Sequence, residues 1–119
     1  MLYVIHCLDR ANALQIRLDN YDSHRSYLDE ASIDIVLAGP ISADDDETPI
    51  GSCFVVAAPS RNEVEEFNQG DPFYRMNVWS KEKIRIHPFL KRRGWDDADW
   101  QQLPDRGLEP IANAMEEAF

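Results

Sequence analysis

IDIVLAGPISADDDETPIGSCFVVAA, residues 33–58, decides the fold. Its first part, IDIVLA at 33–38, is short, apolar and rich in β-branched residues, which predicts a strand stopped by Gly39-Pro40. A polar loop over 42–49 follows, and SCFVVAA at 52–58 predicts a second strand, stopped by Pro59. On the N-terminal side, residues 9–31 carry Leu14, Leu18, Tyr21 and Leu28 at helical spacing. The polar pair Asp19-Asn20 is able to divide that helix in two, because Asn and Asp favour caps over helix interiors. LYVIHCL at 2–8 predicts a strand before it. On the C-terminal side, Ser60 and Glu63 have capping-box spacing, and Val64 and Phe67 supply an apolar stripe. Gly70 ends that helix, since Asp71-Pro72-Phe73-Tyr74 cannot continue it through Pro72. Residues 78–86 predict a last strand before Pro88. The order is β-α-β-β-α-β, the split βαβ pattern of an α+β ferredoxin-like fold with an antiparallel sheet.

The first three predicted strands are apolar on both faces. Such strands are buried on both faces, and two helices cannot cover both. The simplest second cover is another copy of the chain, giving a homodimer. The alternative cover is the chain's own tail, through Trp95 and Trp100.

The 119 residues carry 12 Lys and Arg against 22 Asp and Glu, a net charge of −10. That balance opposes nonspecific nucleic-acid binding, which needs clustered cations on phosphate. The acid is uneven. Residues 94–119 hold seven carboxylates against Arg106 alone. This divides the chain into a domain over 1–93 and an acidic extension over 94–119, part of which, 108–119, reads as a short helix. No apolar run is long enough to span a membrane, and the run at 2–8 lacks the preceding basic residues of a secretory signal. Cys7 and Cys53 lie inside apolar strands without ligand spacing, as reduced cytoplasmic thiols do.

Three histidines are present. His6, mid-strand in an apolar run, reads as a hydrogen-bonded core or interface residue, and His87 as structural or solvated. No pair has zinc-ligand spacing, so no metal or cofactor is expected. His24 lies at the edge of the first helix's apolar face, seven residues after Arg17, so an unbroken helix would point both the same way. If the helix restarts near Asn20, His24 falls in its first turn. The helix dipole there favours the neutral imidazole, which can accept a proton. A half-exposed surface histidine fits the same pattern. Asp71, fixed between Gly70 and Pro72, could orient such a histidine, with Phe73 and Tyr74 as one wall of a pocket. A loop aspartate capping backbone N–H groups fits equally. Spacing alone does not bring His24 and Asp71 together. Asp44-Asp45-Asp46-Glu47 lacks the alternation and central glycine of a calcium loop and reads as solvated acid. Lys91-Arg92-Arg93, beside Asp96-Asp97, reads as a salt-bridged turn.

The ordered set MLYVIHCLD, RLDNYDSHRSYL, AGP at 38–40, GSCFVVAA, DPF at 71–73 and HPF at 87–89 resembles the YciI-like (YCII-related) family of the dimeric α–β barrel superfamily. The resemblance covers residues 1–90. It implies a ferredoxin-like fold paired through its sheets. It also implies a His–Asp acid–base pair, carried here by His24 and Asp71. The arginine of the RL motif matches Arg17, which would hold an anionic or carbonyl group, and Gly39-Pro40 would line the same cleft with Phe73. Relatives include a dehydrochlorinase of a chlorinated hydroxyhydroquinone, and similar folds include lactone isomerases. The acidic tail and the DDDETP loop depart from the family pattern.

The expected function is that of a small cofactor-independent enzyme. It would use His24 and Asp71 on a small cyclic or aromatic oxygenated metabolite, by elimination, isomerisation or lactone chemistry. The alternative is a non-catalytic small-molecule-binding or protein-interaction module on the same dimeric scaffold.

Overall fold

The computed structural model of the chain describes residues 1–94. The predicted helix at 108–119 and the tryptophans Trp95 and Trp100 lie outside the described residues. β1 (Leu2–Asp9) leads into two short helices, α1 (Leu14–Asp19) and α2 (Tyr21–Asp29). β2 (Asp34–Ser42) and β3 (Pro49–Ala57) follow, then α3 (Arg61–Gly70), a single turn of helix α4 (Pro72–Arg75) and β4 (Trp79–Phe89). The strands form one antiparallel sheet in the order β2-β3-β1-β4. This is the α+β ferredoxin-like arrangement that the βαββαβ order predicts.

Period-two alternation divides the sheet into two faces. Tyr3, Ile5 and Cys7 of β1 are buried, with Phe54 and Val56 of β3 and Ile86 of β4 beside them. Val64 and Phe67 of α3 and Phe73 of α4 complete this core. The residues between them turn to the other face, where His6 and Leu37 are exposed and Val4 and Val55 half-buried. His6 stands beside Cys53 in the β1–β3 ladder. It is not a core residue of the single chain.

The predicted apolar stripe of the first helix is corrected. Asn20 closes α1 and opens α2: its N–H reaches Ile16 O and its carbonyl accepts from His24 N. The two helices therefore share no continuous stripe. Leu14 and Leu18 are exposed, and α1 instead buries Arg17, at 2% exposure. The cause is an ion pair described below.

Two strands run further than their prolines suggested. β2 continues through Gly39-Pro40, with Pro40 opposite Ser52, and β4 continues to Phe89, with Pro88 opposite Tyr3. Both are edge strands. A proline is tolerated on an edge because the outward-facing position needs no N–H.

In the loop between β2 and β3, the Asp45 carboxylate accepts from the backbone N–H groups of Glu47 and Thr48 and from the Thr48 hydroxyl. Those bonds, the hydroxyl's first, hold its pKa below the ordinary value. The acidic loop thus folds on its own side chain.

Candidate active site

His24 lies in the first turn of α2 and is fully buried. Its Nδ1 stands 2.7 Å from Oδ1 of Asp71, which is also fully buried. Asp71 occupies the junction of α3 and α4. Gly70 ends the first helix, Asp71 is extended, and Pro72 takes the first position of the next turn, where its missing N–H costs nothing. Asp71 caps that turn, its Oδ1 accepting from Phe73 N at 2.8 Å. One carboxylate oxygen thus serves both as helix cap and as partner of the histidine. Its Oδ2 is buried without a hydrogen bond among the described residues. With Asp71 ionised, the shared proton sits on Nδ1, and Nε2 is the nitrogen able to take a further proton.

Among the described residues, three aromatic rings surround the imidazole. Phe73 stacks on it at 3.9 Å between centroids, with 8° between the planes. Phe54 and Trp79 meet it edge-on at 6.4 and 6.5 Å. The α4 turn that Asp71 caps therefore also brings the stacking ring.

Arg17 reaches the same cluster from α1, its guanidinium carbon 4.6 Å from the Phe73 centroid. Nε and Nη2 donate to the two carboxylate oxygens of Asp9 at 2.8 and 2.9 Å. Nη2 also donates to the Ser52 hydroxyl at 2.9 Å, which accepts from Trp79 Nε1 at 3.2 Å. This two-point ion pair explains why α1 buries an arginine and exposes leucines. A register shift in the β1–β4 ladder sets Asp9 opposite Trp79, after Cys7 opposite Ile84. The irregularity brings Asp9 and Trp79 together at the mouth of the sheet.

Of the residues singled out in the sequence, His24, Asp71, Phe73 and Arg17 meet in this cluster. Pro40 borders it through Ser52, its partner in the β2–β3 ladder, whereas Gly39 pairs with Cys53. Asp9, Ser52, Phe54 and Trp79 were not foreseen. Asp9 carried one signal: a carboxylate directly ending an apolar strand, eight residues before an arginine.

Neither thiol is a nucleophile at neutral pH. Burial pushes Cys7 up to about 12, with a smaller push from the Asp71 charge, and burial also raises Cys53. Burial, then Asp71, raises the Tyr27 phenol. Among the described residues, no group of three or more His, Cys, Asp or Glu side chains is arranged to hold a metal ion. A cleft of about 560 Å³ between α2 and α3, lined by Tyr27, Glu30, Ile33, Glu66 and Phe67 among others, does not include His24 or Asp71.

Residues 1–89 match the YCII-related domain. The chain belongs to this family. A solved structure similar to it is the 5-chloro-2-hydroxyhydroquinone dehydrochlorinase of Burkholderia phenoliruptrix AC1100, in complex with 2,5-dihydroxybenzoquinone. That enzyme is 30% identical with a TM-score of 0.68, over 77% of this YCII-related chain and 96% of the other. No curated protein matches. No helix among the described residues is long and apolar enough to cross a membrane.

Proposed function

We propose that this YCII-related protein is a small enzyme that moves protons on a small cyclic or aromatic oxygenated metabolite without a cofactor. The observation that carries this reading is the 2.7 Å His24–Asp71 contact, flanked by the rings of Phe54, Phe73 and Trp79. Nε2 of His24 is the base that takes a proton from carbon or oxygen and returns it to a leaving group or a neighbouring carbon. Asp71 holds the tautomer and stabilises the imidazolium. Phe73 and Pro40 border the substrate, and Arg17 reaches it through Nη1, since Asp9 and Ser52 take its other donors. The similar dehydrochlorinase, with its dihydroxybenzoquinone ligand, supports a hydroxylated ring as the substrate class.

Full burial of His24 means that a substrate reaches Nε2 only when a covering element shifts. The same burial favours the second reading, a binding module in which the pair only holds structure. Turnover separates them. A panel of halogenated and hydroxylated hydroquinones, quinones and small lactones is followed by ultraviolet absorbance. His24→Gln and Asp71→Asn should each lower kcat/KM by about 10²–10⁴. A His24→Gln variant within twofold of the parent on a substrate that the parent converts would refute the proposal.

We also infer that the sheet face bearing Val4, Val55 and Leu37 pairs with a second copy, in a cytoplasmic homodimer with both thiols reduced. Val55→Glu should convert the dimer to monomer in light scattering, and a parent that is monomeric at every concentration would exclude it.

A further inference from the structure

We propose that Asp9 is a positioning residue for His24, acting through Arg17 and Phe73; the inference rests on the reading of His24 as the acid–base group. The imidazole covers one face of Phe73 at stacking distance. The guanidinium over that ring therefore occupies the opposite face. A single Arg–aromatic contact leaves a guanidinium free to rotate and slide. The two-point bond to Asp9 fixes both its plane and its place, and Ser52 adds a third anchor.

The order through the cluster is Asp9, Arg17, Phe73, His24, Asp71. A carboxylate stands at each end, a basic group beside each carboxylate, and one neutral ring in the middle. While His24 is neutral, the Arg17–Asp9 pair is balanced by itself. When His24 takes a proton, two cations face each other across Phe73, each beside its own carboxylate. Proton uptake thereby takes the buried cluster from a net charge of −1, left by Asp71, to zero. Removing the Asp9 charge leaves a bare guanidinium next to the forming imidazolium, in a setting where unpaired charge is costly.

The described titratable groups beside the cluster stay uncharged near neutral pH. On β1, Cys7 is a thiol pushed up to about 12. On α2, Tyr27 is a phenol raised by burial. β3 and β4 present Phe54 and Trp79, which do not titrate. Asp71 touches His24 directly, and among the described residues Asp9 and Arg17 are the charges behind it.

The test follows the His24 ring protons by NMR against pH, assigned with His24→Gln and needing no substrate. Asp9→Asn should lower the titration midpoint by roughly one pH unit. Asp9→Glu, which keeps the charge, should stay close to the parent. Arg17→Met should raise the midpoint, and Asp9→Asn combined with Arg17→Met should return it towards the parent. No shift in folded Asp9→Asn, or a shift that persists in the double variant, overturns the inference. If Asp9→Asn does not fold, the upward shift in Arg17→Met decides, and its absence overturns the inference. On a converted substrate, the acid limb of kcat in Asp9→Asn should follow the midpoint while KM stays within about twofold of the parent. A midpoint that moves as described while His24→Gln still turns over normally would sink the enzymatic reading and leave the charge coupling standing.

Discussion

Phe73 is the side chain whose removal tests the cluster most directly. It is fully buried, stacks on His24 at 3.9 Å and carries the Arg17 guanidinium at 4.6 Å. Phe73→Leu keeps an apolar side chain there and removes the flat ring. The lost stacking is worth about 0.5–1.5 kcal/mol. The lost cation–π contact is worth about 1 kcal/mol, and more when desolvated, as here. The change of shape adds about 1 kcal/mol. The expected destabilisation is about 2–4 kcal/mol by urea unfolding, followed by far-UV circular dichroism at fixed protein concentration with an unchanged m-value. Phe73→Ala, which also opens a cavity, should cost about 5 kcal/mol or more. A double-mutant cycle isolates the guanidinium: in an Arg17→Met background, Phe73→Leu should cost about 1 kcal/mol less. A Phe73→Leu cost below about 0.5 kcal/mol, or no coupling in the cycle, would refute the stack as a stabilising element.

Other perturbations follow from single contacts. Cys7 has its pKa raised from 9.0 to about 12 by burial, so its contribution to stability is complete below pH 9 and is lost as the pH rises through about 12. Unfolding free energy should fall by roughly 4 kcal/mol across that window, and Cys7→Ala should flatten the fall. Gly51→Ala places a methyl group against the Cys7 carbonyl in the β1–β3 ladder. It should lower stability by about 2–4 kcal/mol and speed amide exchange in both strands, whereas slow exchange at parental stability would contradict the close approach. Gly70→Ala drives a methyl group into the Tyr27 hydroxyl and breaks its bond to the Phe67 carbonyl, at a cost of about 1–3 kcal/mol. Tyr27→Phe in the same background should recover part of that loss.

The fold was legible because its signals are local. Apolar runs, the Pro59 stop after β3 and the Ser60–Glu63 spacing each act within a few residues. The Glu63 N–H does bond Ser60 Oγ, at 3.4 Å. What failed was the assumption that leucines define the inner face of the first helix. A bidentate ion pair with Asp9 outweighs the burial of two leucines on a six-residue helix, and hydrophobic spacing carries no trace of that competition. The His24–Asp71 contact joins residues 47 positions apart. Only the packing of α2 against α4 brings them together, so local context singled out each residue and family resemblance supplied the pairing. Asp9 was harder still. It reads as the end of a strand or the start of a helix, and its importance depends on a ladder irregularity that no periodicity announces.

The two edge prolines have a consequence for how copies of this domain meet. An unpaired strand edge is a template on which another chain can grow, and such growth does not close on itself. Pro40 and Pro88 each delete one donor from the outer edges of the sheet. Lateral extension into ribbons or fibres is thereby penalised at both ends. The proposed homodimer uses the broad side of the sheet instead, where an isologous contact between two copies would use up the surface and stop.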